Sequence, residues 1–126
     1  MAGRGYVERL IQHRRFSTAL EVLSFCFKVR DGDFRLSRVE LLLGLVQHVE
    51  SLEQKQMLAR LLKDAPDQYA NDPRVADALI LAGRLYAEDL DFLTTREILD
   101  RIDREYPLWA QEDGYLETKR LLDGVA

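Results

Sequence analysis

Side chains capable of chemistry are sparse in this chain, and none stands at a catalytic spacing. His13 and His48 lie in different segments, and neither belongs to a His-Glu-x-x-His motif, in which two imidazoles on one helix face hold zinc while a carboxylate activates water. Cys26 is the single cysteine, which excludes an intramolecular disulfide and a cysteine-based zinc cluster. Its neighbours Leu23, Phe25 and Phe27 make it a small buried hydrophobe by expectation rather than a reactive thiol. The acids Glu88, Asp89 and Asp91, and the pair Glu112 and Asp113, lack the Asp-x-Asp-x-Asp-Gly spacing that wraps calcium. They read as solvated loops. The glycines are scattered and form no phosphate-cradling loop, and Asp31-Gly32-Asp33 has the composition of a turn. No catalytic residue, metal ligand or cofactor is expected, and the chain reads as a non-enzyme.

Charge is the other chemical resource, and it is unevenly spread. Residues 1–38 carry eight basic against four acidic side chains, a net +4, whereas residues 64–126 carry fifteen acidic against seven basic, a net −8. Arg4, Arg9, Arg14 and Arg15 form a local basic cluster of the kind that contacts phosphates. A small helical nucleic-acid-binding or regulatory protein using this basic N-terminal face is therefore the alternative reading. The chain is acidic overall and has no recognition helix rich in Arg, Asn, Gln and Ser, so nucleic acid ranks below a protein or peptide as the expected partner. The longest apolar run, Leu41 to Val46 and broken by Gly44, is far below the roughly 20 residues needed to cross a bilayer. No membrane insertion is expected. The first residues, Met1 to Gly5, have no apolar signal region and lead straight into helical pattern at Tyr6. A complete small protein and a domain of a longer one fit that start equally. The composition permits a reducing compartment, and a cytoplasmic location is the expectation.

Apolar residues recur at helical spacing almost throughout, without sustained period-two alternation, so the fold class is all-α. The pattern predicts helices over about 5–13, 16–30, 37–49, 52–64, 73–88, 94–105 and 111–123, with boundaries good to roughly two to four residues. Ser37 to Glu40, Ser51 to Gln54 and Thr94 to Glu97 fit the capping box, in which a hydroxyl and a carboxylate or amide satisfy free amides at a helix start. Asp72-Pro73 adds an Asp cap followed by proline in the first turn. Short connections imply antiparallel neighbours. The second segment, Phe16 to Phe27, is apolar on most faces and is expected to be covered on both sides.

The segment from Leu79 to Pro107 has a pattern of its own: Leu79, Ala82, Gly83 and Tyr86, then a turn at Asp91-Phe92, then Leu99, Ile102 and the stop Pro107. This resembles the tetratricopeptide repeat, a helical hairpin of roughly 34 residues with an aromatic, Leu-Gly, Tyr, Ala, Phe and Pro at fixed offsets. Laid over the N-terminus, the unit matches Leu10 with Tyr86, Phe16 with Phe92, Ala19 with Thr95, Leu23 with Leu99 and Cys26 with Ile102. Leu42, Leu45, Leu58, Leu61 and Pro66 supply a weaker middle unit, with Gln54 where the family has alanine. The stops at Asp31, Pro66 and Pro107 place an insertion of about seven residues around Asp67 to Asp72. Thr95 replaces the family's small residue in the third unit and is expected to hold its two helices slightly apart.

The resemblance implies one domain over 1–126 stacked as a right-handed superhelix, with units at about 1–34, 35–68 and 76–109 and a capping helix at about 111–123. It implies a protein-interaction module, a scaffold or adaptor, that takes a peptide or helix in a concave groove. By that correspondence the groove holds Arg4, Glu8, Ile11 and Gln12, then Val39, Leu43, Val46 and Gln47, then Asp77, Ile80, Arg84, Ala87 and Glu88. The clamp that some family members use on chaperone tails is not matched, because Glu8, Glu40 and Asp77 stand where asparagine or lysine is required. A mixed or amphipathic peptide suits such a groove better than a carboxylate tail. The opposed charges of the two ends also suggest self-association end to end, with Arg14, Arg15 and Trp109 as contacts.

Overall fold

The computed structural model describes residues 2–30 and 34–124. Among these residues all regular structure is helical, as the apolar spacing requires. The helices are α1 (Ala2–Gln12), α2 (Phe16–Val29), α3 (Val39–Leu45), α4 (Leu52–Lys63), α5 (Ala65–Gln68), α6 (Val75–Glu88), α7 (Phe92–Glu105) and α8 (Asp113–Asp123), with 3-10 turns at Val46–His48 and Pro107–Gln111. Each expected segment has its helix. At the stop expected at Pro66 the chain instead starts a short helix, α5, which buries Ala65 and Pro66 and takes in Asp67 and Gln68 of the insertion. The stop expected at Asp31 lies outside the described residues.

Capping explains where several helices begin, and it corrects three expectations. Ser51 accepts the Gln54 amide at 3.1 Å while the Gln54 side chain accepts the Glu50 amide at 2.9 Å, so the middle capping box forms. Thr94 is not a cap. Asp91 takes that role by accepting the Thr94 amide at 3.1 Å, and α7 therefore starts two residues early, at Phe92. An Asp three residues before the amide competes successfully because its carboxylate is a stronger acceptor than a hydroxyl. Ser37 does not cap α3 either; its hydroxyl and amide are taken by Glu8 of α1. The start expected at Asp72-Pro73 is displaced: Asp72 accepts the Arg74 amide at 2.8 Å in the turn before α6, but the helix begins at Val75 with Arg74 at its N-cap and no side-chain cap.

The hairpins α1/α2 and α6/α7 turn in the same way. Arg14 and Leu90 both adopt left-handed backbone, at φ 60° and 64°. The Arg14 amide donates to the Ile11 carbonyl and the Arg15 amide to that of Leu10. The Leu90 amide donates to Ala87 and the Asp91 amide to Tyr86 in the matching pattern. Each is a Schellman turn, which closes the last carbonyls of one helix and reverses the chain. In sequence terms Arg14 corresponds to Leu90 and Phe16 to Phe92, the same register that pairs Leu10 with Tyr86.

One continuous core runs through the chain, with Leu20, Leu23, Leu36, Leu42, Leu45, Leu58, Leu62, Leu79 and Ile102 fully buried. Each contributes about 1.5–3 kcal/mol by leaving water. α6 sits at its centre and packs on α3, α4, α5, α7 and α8. Thr95 is fully buried and donates to the Asp91 carbonyl at 2.9 Å, with the Gly83 carbonyl 3.4 Å away. Gly83 has no side chain where Ile98 and Leu99 of α7 and Thr118 of α8 come close, so both helices pack near the α6 backbone. The expectation for α2 fails on one side: Phe25 and Val29 are 67% and 64% exposed. Cys26 is half-buried, close to the backbone of Gly3.

Two substitutions test this packing by thermal unfolding. Leu90→Gly removes the left-handed strain from an exposed residue and should raise stability by about 0.5–1 kcal/mol after glycine's entropy cost. Gly114→Ala should lower it by about 1–3 kcal/mol, because the new Cβ would lie 2.8 Å from Cγ2 of Ile80, a stiff β-branched methyl.

Candidate functional site

The residues that the repeat pattern assigns to a groove come from α1, α3 and α6, and they meet different fates. On α1, Arg4 and Gln12 are exposed, one turn to either side of Glu8. Glu8 is spoken for: it accepts the Ser37 hydroxyl at 2.7 Å and the Ser37 amide at 3.2 Å. On α3, Leu43 is half-buried against the core and Val39 is fully buried. Gln47 is exposed, but it does not share a helical stripe with Leu43, because α3 ends at Leu45 and Gln47 belongs to the tighter 3-10 turn. Gly44, with the poorest propensity of any ordinary residue inside a helix, falls in its last turn.

On α6, Asp77 pairs with Arg74 at 3.3 Å. Glu88 lies 3.9 Å from Lys55 of α4, which bonds more closely to Asp89 at 3.0 Å. Ala87 is buried, and Ile80 is half-buried beneath Gly114 of α8. Arg84 is exposed and makes no ion pair among the described residues. The acids of the assigned groove are thus tied within the chain, while Arg4, Gln12, Gln47 and Arg84 are left to solvent. At the far end Trp109 is half-buried on the core and stands edge-on to Tyr106, with ring centroids 6.3 Å apart.

The most elaborate polar cluster was invisible as a motif. The extended segment Phe34 to Ser37 buries Phe34 and Leu36 and turns Arg35 and Ser37 outward. Ser37 is held by Glu8 on one side; on the other, Arg35 bonds Gln68, and the Tyr69 hydroxyl donates to the Leu36 carbonyl. The insertion therefore has a structural task, to clasp this segment against α1. Burial pushes the Tyr69 phenol up to about 12, Glu8 and Asp72 push the same way, and Arg35 and Arg4 oppose them. A single Tyr in a polar run carries too little pattern to announce such a contact.

Elsewhere polar groups neutralise one another. Arg101 bonds Asp67 at 3.2 Å and Glu105 at 2.8 Å, and the Asp67 bond raises its already high pKa further. It borders a pocket of about 290 Å³ with Lys63, Asp64, Glu97 and Arg104. His48 stacks on Phe16, with centroids 4.1 Å apart, while His13 is exposed at the end of α1. Arg14 and Arg15 come together at the start of α2, but Ser17 there donates to the carboxylate of Glu50. An incoming phosphate would meet that negative charge. No group of three or more His, Cys, Asp or Glu among the described residues is disposed to hold a metal ion. No helix is long and apolar enough to cross a membrane, again among the described residues. No family model matches the chain, and neither a curated protein nor a solved structure matches it.

Tyr69→Phe tests the clasp. Losing the bond to Leu36 should cost about 1 kcal/mol at neutral pH. Because the folded phenol titrates near 12 and the unfolded one near 10, the folded state favours the proton. That stabilisation is complete below pH 10 and is lost as the pH rises through 12. Chemical denaturation at successive pH values should therefore show a smaller alkaline loss of stability in the variant than in the parent.

Proposed function

We propose that this chain is a non-enzymatic protein-interaction module, a scaffold or adaptor, built from three stacked helical hairpins and a closing helix in tetratricopeptide-like fashion. The observation that carries this reading is the shared Schellman turn of α1/α2 and α6/α7, at corresponding positions of units matched by sequence. Schellman turns end many helices; what supports the reading is that these two fall at the same step of the register that pairs Leu10 with Tyr86 and Phe16 with Phe92. The order of packing supports it. Hairpin partners pack together, α1 on α2, α3 on α4 and α6 on α7, and successive units meet through α2 with α4, α4 with α6 and α6 with α8. Such nearest-neighbour packing is the habit of a repeat stack.

The groove in this reading runs across α1, α3 and α6, and its ligand is a peptide or helix of mixed polarity. Arg4, Gln12, Gln47 and Arg84 are its free polar groups, and half-buried Leu43 is its apolar contact. Glu8, Asp77 and Glu88 serve chiefly to hold the fold, since each has a partner in the chain. Arg84 is the residue with most to offer, being an exposed guanidinium near the middle of α6. Guanidinium groups are enriched among the residues that dominate interfaces.

Affinity capture with the intact chain, followed by mass spectrometry, tests the proposal. The parent should enrich a small set of proteins, and Arg84→Ala should reduce their capture at least tenfold. Unchanged capture by that variant and by Gln12→Ala with Gln47→Ala would remove the groove from consideration. Enrichment that disappears on nuclease treatment would favour the nucleic-acid reading instead.

A further inference from the structure

The matched hairpins differ in what covers them. In α6, Ala78, Ala82, Leu85 and Asp89 form one stripe by their spacing of three and four residues. Asp89 holds Lys55 of α4, so this stripe faces α4, and Ala78, Ala82 and Leu85 are buried there. Alongside it on α7, Ile98 and Arg101 border a pocket with Lys63 of α4, and Arg101 bonds Asp67 in α5. The same positions in the first hairpin are Tyr6, Arg9 and His13 on α1, and Val22 and Phe25 on α2. Tyr6, Arg9, His13 and Phe25 are exposed. Val29, which corresponds to the Glu105 partner of Arg101, is exposed as well. A face that the third hairpin largely buries under helices is thus open on the first, where Tyr6, Phe25 and Val29 are exposed beside Arg9 and His13.

We propose that this face docks α8 of a second copy of the chain, head to tail. α8 packs on α6 with Tyr115, Thr118 and Leu122 buried, and its exposed residues are Leu116 and Leu121 with Asp113, Glu117 and Asp123, an acidic excess over Lys119 and Arg120. The partners are complementary in both respects. Tyr6, Phe25 and Val29 meet Leu116 and Leu121, while Arg9 and Arg30 meet Asp113 and Glu117. The balance of the whole chain points the same way, +4 over residues 1–38 against −8 over residues 64–126. Because the two surfaces differ, the contact does not close on itself as a symmetric pair; it extends, one copy after another. The contact involves α1/α2 and α8 rather than the turn residues Arg14 and Arg15 or the half-buried Trp109, and it is independent of any groove ligand.

Sedimentation and light scattering of the intact chain between about 10 µM and 1 mM decide the matter. The mean mass should climb with concentration at low salt and fall back at about 0.5 M salt, where surface charge is screened. Phe25→Asp spoils the head and Leu121→Asp the tail, each at an exposed site, so each variant alone should stay monomeric with unchanged helicity. Mixed in equal amounts they should form one-to-one dimers, since one keeps a working tail and the other a working head. Val29→Asp and Leu116→Asp repeat the experiment should either first variant misfold. A parent that stays monomeric throughout overturns the proposal. So does a mixture that fails to pair, or a Leu121→Asp variant that associates like the parent.

Discussion

Most of this fold hangs on how many neighbours one helix can accept. α6 packs on five other helices, and it can do so because the side chains it turns inward are small. Ala76, Ala78, Ala82, Gly83 and Ala87 are all buried, and larger groups such as Leu79 and Leu85 stand between them. Small residues let helix axes approach, so that α4, α7 and α8 each find a seat on a different side of the same rod. Gly83 presents bare backbone to Ile98 and Leu99 of α7 and to Thr118 of α8. The close fit of Gly114 against Ile80 is the corresponding arrangement toward α8.

The N-terminal part is joined to this centre by polar contacts as much as by apolar ones. The segment from Phe34 to Ser37 crosses between units in extended form, which leaves its backbone groups without helical partners. Glu8, Gln68 and Tyr69 are the groups that meet it. Buried or half-buried polar groups must find partners, and no buried side-chain nitrogen or oxygen among the described residues lacks one. The same economy governs the outer surface. Lys55 with Asp89, and Arg101 with Asp67, join segments that are distant in the chain, while Glu105 holds Arg101 from within α7. The surface positions that remain unpaired stand out by contrast.

The turns after α1 and α6 do not depend on which side chain they carry. Arg14 and Leu90 share neither size nor charge, yet both close the same hydrogen-bonded reversal. The turn depends on backbone hydrogen bonds, and side chains at that step point to solvent, so identity there is free to drift. The faces of the two hairpins differ more. Ile98 and Arg101 serve an internal contact with α4 and α5, while at the matching places Val22 is half-buried on the core and Phe25 is exposed.

The sequence by itself determined the helical class and the approximate place of each main helix. These follow from apolar spacing and local capping, which act over a few residues and leave a readable period. The local pattern was decisive at Ser51 and misled at Ser37, Thr94 and Asp72: a carboxylate from elsewhere or from three residues back made the bond at the first two, and α6 begins three residues past Asp72. Only the tertiary structure decided which polar side chains are consumed between segments and which face outward. Glu8 and Glu88 looked equivalent to Gln12 and Arg84 as candidates, and their difference lies in Ser37 and Lys55. The buried clasp of Tyr69 and the open face around Phe25 were likewise set by contacts between segments far apart in the chain. Such contacts carry no period and no motif, because they depend on where whole helices come to rest.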